Sequence, residues 1–257
     1  MRTVSEILDY IWTIAPEEGK EAWDNVGHLV GRRNARVDKV LVALDITLDV
    51  IHEAAEYGAQ LIVSHHPVIW DTYRHVNDTV FQQEKVLQLV ENRIAAICMH
   101  TNLDEAEDGV DDTLVETLGL TAQRHLGADG IGHVCELQEA IPLQEYLCHV
   151  KTSLKANGLR YCDGGRPVKR IATGCGSCGE YLEDAWKAGC DTFITGDCKY
   201  NVFIDAKGMG INLIDAGHFP TENPIVHKLA GKLQRQFPEL DIREAERICQ
   251  PDHFYAG

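Results

Sequence analysis

Three short segments of the chain concentrate imidazole and carboxylate. Ser64-His65-His66-Pro67 sets two adjacent histidines behind an apolar run, Ala59 to Val63. His100-Thr101-Asn102-Leu103-Asp104 and His218-Phe219-Pro220-Thr221-Glu222 each carry a carboxylate four residues after a histidine. Imidazole and carboxylate together suit Zn, Mn, Fe or Co, and the lack of cysteine in the set argues against a structural zinc knuckle. The group His65, His66, His100, Asp104, His218 and Glu222 exceeds what one catalytic zinc takes from protein. It is the right size for two ions at the ~3.5–4 Å spacing of two-metal hydrolases. Taken singly, each residue has a plainer account, a hydrogen-bonded histidine at a strand end or an acidic residue in a first helical turn. The recurrence of one spacing in two places is hard to obtain that way. Adjacent strand residues point to opposite faces, so His65 and His66 serve one ion only if the chain bends near Pro67; two neighbouring ions suit them equally well.

These residues need strand ends to stand on. Lys39 to Asp45 reads as a strand, Leu48 to Tyr57 as a helix closed by Gly58, Leu61 to Ser64 as a strand, Phe81 to Asn92 as a helix and Ile94 to Met99 as a strand. The second half repeats that order: strand Arg170 to Thr173, helix Glu180 to Ala188, strand Thr192 to Thr195, a short helix from Val202 to Lys207, and strand Ile211 to Ile214. Val4 to Trp12 has helical spacing, and Gly132 to Leu137, Leu143 to Leu154 and Leu159 to Cys162 read as strand, helix and strand. The expected fold class is α/β, with two similar domains related by internal duplication, residues 1–125 and 126–257. The last strand is free to return to the first domain, and a dinuclear metal site is expected in the cleft between the two. Ligands in open α/β sheets collect at strand carboxyl ends, where these residues fall.

A competing motif is Gly174-Cys175-Gly176-Ser177-Cys178-Gly179, which follows a strand and opens a helix, with Asp197 about 20 residues on, the layout of a dinucleotide site. It gives the histidines no task. The same turn has C-x-x-C spacing at a helix start, where a thiol pKa is lowered, so a redox pair is the other alternative to a plain tight turn.

Composition narrows the field further. With 24 Lys and Arg against 40 Asp and Glu, the net charge is −16, which disfavours nucleic acid as a partner. No apolar stretch reaches the ~18–20 residues of a membrane span, and no export signal is evident, so a cytoplasmic location is expected. The nine cysteines are an odd, scattered set, expected to be thiols.

Asp24-Asn25-Val26-Gly27, Ser64-His65-His66-Pro67, His100 to Asp104, Ile194-Thr195-Gly196-Asp197 and Asp215-Ala216-Gly217-His218 with Glu222, in that order over nearly the whole chain, resemble the Nif-three-like (NIF3) family. Its bacterial members are called GTP cyclohydrolase 1 type 2 homologs. The resemblance implies two similar α/β domains, a dinuclear centre and a toroidal homohexamer built from trimers. It also implies the ligands His65, His66, Asp104, His218 and Glu222, with Glu222 bridging, and His100 as a supporting group or proton shuttle. Two divalent ions per chain are implied, with Zn, Mn, Fe and Co all open. The implied activity is metal-dependent hydrolysis of a nucleotide or cyclic amide, with GTP opened at C8 of the guanine ring. The alternative is a metal-binding or assembly protein without turnover. His28 departs from the family pattern, which leads one to expect an aliphatic residue there.

Overall fold

The computed structural model describes residues 1–127 and 130–255; residues 128–129 and 256–257 of the expected second domain lie outside the described residues. The fold is mixed α/β, and the chain divides into two units, Met1–Ala106 with Ile225–Cys249, and Glu107–Pro224 with Gln250–Gly257.

The first unit is built on a five-stranded sheet in the order Asp241–Glu244, Lys39–Ala43, Leu61–Ser64, Ala95–Cys98, Gly27–Val30. The first four strands run parallel and the last antiparallel. Leu61–Ser64 and Ala95–Cys98 are buried at every position, the signature of strands covered on both faces. Leu41, Ala43, Ile62 and Ala96 share a core with Val50, Ile51 and Ala54 of helix Leu48–Tyr57 and with Val86 and Leu89 of helix Phe81–Glu91. Helix Leu48–Tyr57 starts where the Thr47 side chain accepts the Val50 N–H and ends at Gly58, whose φ of 76° favours a residue without Cβ. Helix Val4–Ile14 buries Val4, Ile7, Leu8 and Ile11, one face at helical spacing, behind a Thr3/Glu6 capping box. Helix Pro224–Gln236 buries Ile225, Val226, Leu229, Ala230 and Leu233. The Tyr10 ring of the first of these helices lies edge to face at 5.4 Å from Phe237, the residue that follows the second.

The second unit has a six-stranded sheet in the order Ala122–His125, His133–Ile141, Val168–Thr173, Thr192–Thr195, Asn212–Asp215, Arg160–Cys162. Its three strands Val168–Thr173, Thr192–Thr195 and Asn212–Asp215 are parallel, and the flanking strands antiparallel. Within each unit the order strand, helix, strand, helix, strand is observed.

The division between the units and one helix differ from expectation. The division falls at residues 106–107 rather than near 126, because helix Val110–Thr117 packs on strands His133–Ile141 and Val168–Thr173. Asp111 of that helix also accepts the N–H groups of Gly132 and Cys175. Residues 225–249 return to the first unit, where Asp241–Glu244 pairs in parallel with Lys39–Ala43. The expected helix at 180–188 is a 3-10 turn, Gly179–Tyr181, followed by α-helix Leu182–Lys187. Among the described residues, no helix is long and apolar enough to cross a membrane.

Candidate metal centre

In the first unit, strand Leu61–Ser64 ends immediately before the two histidines. Ser64 Oγ donates to the His66 carbonyl at 2.8 Å, and the His66 N–H reaches Leu44 O at 2.9 Å. The chain therefore turns out of strand geometry, and the two rings lie together with centroids 4.9 Å apart. This is the bend that adjacent histidines need in order to share a site. His100 follows strand Ala95–Cys98, and its ring centroid lies 5.2 Å from that of His65 and 5.6 Å from that of His66. One ligand atom from each of His65, His66 and His100 lies within 4.8 Å of the others. Asp104 closes the short helix Thr101–Asp104, and its Oδ1 stands 3.6 Å from His65 Nε2.

In the second unit, His218 and Glu222 are the first and last residues of helix His218–Glu222, one turn apart. His218 Nε2 and Glu222 Oε2 are 3.0 Å apart, and the Glu222 side chain is 5% exposed. Gly176 lies against this carboxylate: a Cβ there would fall 2.1 Å from Glu222 Oε1, and its φ of +58° is itself in the left-handed region. Asp197 is also left-handed at φ 50°, a conformation an aspartate tolerates better than most residues, and from it the side chain reaches His218.

All four histidines are presented in the same way. Nδ1 of His65 bonds to the Met99 carbonyl at 2.9 Å, that of His66 to Asp45 Oδ1 at 2.7 Å, that of His100 to Asp24 Oδ1 at 2.9 Å and that of His218 to Asp197 Oδ2 at 2.8 Å. A carbonyl can only accept, so His65 carries its proton on Nδ1, and the lone pair of the neutral ring is on Nε2. An imidazole backed by a carbonyl or carboxylate has its orientation fixed and its other nitrogen made more basic, the usual support of a metal-ligating histidine. With Asp104 beside His65 in the first unit and Glu222 beside His218 in the second, each unit's residues suit a divalent metal ion in chemistry and presentation. Asp24 is itself held firmly. Burial opposes its ionisation, but hydrogen bonds from His100 and from the Thr101 hydroxyl and N–H outweigh that and hold the carboxyl at about 2.

Asp24, Asp45 and Asp197 stand behind the histidines without having been expected among the metal ligands. Asp24 and Asp197 belong to the motifs quoted above, and Asp45 and Asp197 each follow a strand by two residues. His100, to which the resemblance gives a supporting part, has the same presentation as His65 and His66. His28 lies in strand Gly27–Val30; burial lowers its pKa, and its Nε2 has no hydrogen-bond partner among the described residues.

The glycine-rich turn does not resemble a phosphate cradle. Several of its N–H groups are already engaged, Cys175 with Asp111, Gly176 with Thr221 Oγ1 at 3.0 Å and Cys178 with Thr195 Oγ1 at 3.1 Å. Cys175 and Cys178 are not joined in a disulfide, and Cys178 Sγ donates to the Cys175 carbonyl. The turn's observed task is to let the Glu222 carboxylate approach the backbone.

Comparison with known proteins agrees with the motif order. The family Duf34/NIF3 (NGG1p interacting factor 3) matches residues 2–251. A "GTP cyclohydrolase 1 type 2 homolog" of Clostridium acetobutylicum is 37% identical over 255 residues, covering 96% of this chain and 95% of the relative. One of the same name from Clostridium perfringens is 38% identical over 240 residues, covering 91% and 92%. The fold is shared with the crystal structure of a Bacillus cereus protein related to NIF3, at a TM-score of 0.92 and 22% identity, covering 98% of this chain and 99% of that one. With the family match spanning nearly the whole sequence, the chain belongs to the Duf34/NIF3 family.

Proposed function

We propose that this protein is a metal-dependent hydrolase acting on a nucleotide or cyclic amide, with GTP opened at C8 of the guanine ring as the first substrate to test. His65, His66 and Asp104 of the first unit, and His218 and Glu222 of the second, are the residues that would hold divalent ions, two per chain. The observation that carries this reading is the uniform presentation of the imidazoles, each with Nδ1 tied to an acceptor, together with carboxylates beside the Nε2 atoms of His65 and His218. The names of the clostridial relatives support the choice of GTP.

Bound ions would supply Lewis acidity and bring the pKa of a water toward neutrality. The chain's own part is to fix geometry and move a proton. His100, held through Nδ1 by Asp24, presents Nε2 as the base that takes a proton from the attacking water and returns it to the departing ring nitrogen. In a protein of net charge −16, bound cations would also offset repulsion of a triphosphate. The proposal extends to self-assembly as a ring-shaped homohexamer, which sedimentation would test.

The deciding experiment is metal content per chain by elemental mass spectrometry, followed by GTP consumption. About two ions per chain, falling sharply in His66→Ala, with guanine ring opening that is lost in His100→Ala while metal is kept, is the expected result. Protein that takes up none of Zn, Mn, Fe or Co overturns the reading. Full metal with no turnover of any nucleotide favours a metal-binding or assembly protein instead.

A further inference from the structure

Two large aromatic side chains stand beside the first unit's histidines and remain in solvent. Trp23 is 63% exposed and Trp70 47% exposed. The His100 ring meets both at steep angles, with centroids 5.9 Å from Trp23 at 74° and 5.2 Å from Trp70 at 88°, and His66 lies 6.4 Å from Trp70. An exposed tryptophan forgoes a large hydrophobic gain; two of them flanking one imidazole in a candidate site are more informative than scattered apolar surface residues.

The backbone that carries them is anchored. Asp24, next to Trp23, accepts from the His100 ring and from the Thr101 N–H and hydroxyl. Asn25 Nδ2 donates to the carbonyl of Ile69, next to Trp70, at 2.7 Å. The two indoles are thus projected from segments tied to the histidine cluster and to each other, while their rings are left uncovered. Such a pair suits a planar ring that stacks, and a purine has the required π-face and size.

We propose that Trp23 and Trp70 form a stacking platform for the heteroaromatic base of the substrate, positioning it beside His100. The inference rests on the nucleotide reading above, of which it names the base-binding element. It assigns the two indoles to recognition of the ring and leaves any phosphate groups to other contacts.

The test separates base from phosphate and does not depend on turnover. Guanosine, which lacks phosphate, and inorganic tripolyphosphate, which lacks a base, are titrated by calorimetry into the metal-loaded full chain. Wild type is compared with Trp23→Leu, Trp70→Leu and the corresponding Phe variants. Stacking on an aromatic side chain predicts about tenfold weaker guanosine binding in each Leu variant and substantial recovery with Phe, with tripolyphosphate unchanged. Metal content equal to wild type shows that the Leu variants retain the site. Guanosine that fails to bind wild type, or binds both Leu variants as well as wild type, overturns the platform even if GTP is hydrolysed. If the Leu variants change the sedimentation of the protein and leave guanosine affinity intact, the indoles belong to an interface between copies, and the inference also fails. Stacking without hydrolysis upholds the platform while the hydrolase reading falls.

Discussion

Asp24 Oδ1 accepts the hydrogen bond of His100 Nδ1 at 2.9 Å across 76 positions of sequence, while its other oxygen accepts the Thr101 N–H and hydroxyl. One buried carboxylate therefore fixes both the orientation of a candidate site imidazole and the start of the helix that carries Asp104. Replacing it with Ala removes no proposed ligand, yet by loosening the start of the helix that carries Asp104 it should weaken metal binding by about 10–100-fold, the usual effect of losing a residue that positions a ligand. Chelator-competition titration of Asp24→Ala checks this; wild-type affinity would show that the contact does not tune the site.

The same carboxylate sets an acid dependence. Its native pKa is about 2 against an ordinary 3.8, so the folded state binds this proton more weakly than the unfolded chain. The resulting stability is fully present above pH 3.8 and is lost as pH falls through about 2, amounting to roughly 2 kcal/mol at most. Carboxyl carbon NMR of metal-free protein should find Asp24 still ionised at pH 3. Titration near 3.8 would mean that burial outweighs the hydrogen bonds.

Gly176→Ala should displace Glu222 without replacing any proposed ligand. The added Cβ meets the carboxylate oxygen, and the left-handed backbone disfavours any L side chain. A stability loss of about 2 kcal/mol in urea unfolding is expected from the backbone conformation and displacement together, with metal content falling as in Glu222→Ala. Unchanged metal in a folded Gly176→Ala protein would separate the turn from the site.

Thiol chemistry should divide the nine cysteines by burial. Cys148 and Cys249 are exposed, whereas Cys98, Cys135, Cys175, Cys190 and Cys198 are buried. Burial raises the thiol pKa of Cys135 and Cys198 to about 12 and of Cys190 to about 11. Ellman's reagent at pH 7.5 should react quickly with Cys148 and Cys249, and with all nine after unfolding. Rapid modification of Cys175 in folded protein would revive the redox reading of the glycine turn.

The sequence by itself determined the local elements and the identities of the candidate donors. Strands such as Leu61–Ser64 and Thr192–Thr195, and helix Leu48–Tyr57 with its Gly58 stop, were legible because hydrophobic period and helix-stop chemistry act over a few residues. The four-residue spacing of His218 and Glu222 already implied one helical turn. The tertiary structure alone decided what stands behind each imidazole. Asp24 reaches His100 and Asp45 reaches His66 only after strands distant in sequence have paired, and no local pattern encodes that. It also decided that helix Val110–Thr117 joins the second unit and residues 225–249 the first, since those choices depend on which sheet buries an amphipathic face. The task of the Gly174–Gly179 turn was hidden for the same reason. Its glycines left a phosphate cradle open as an alternative to a plain tight turn until Asp111, Thr195 and Thr221 were found on its N–H groups and Glu222 against Gly176.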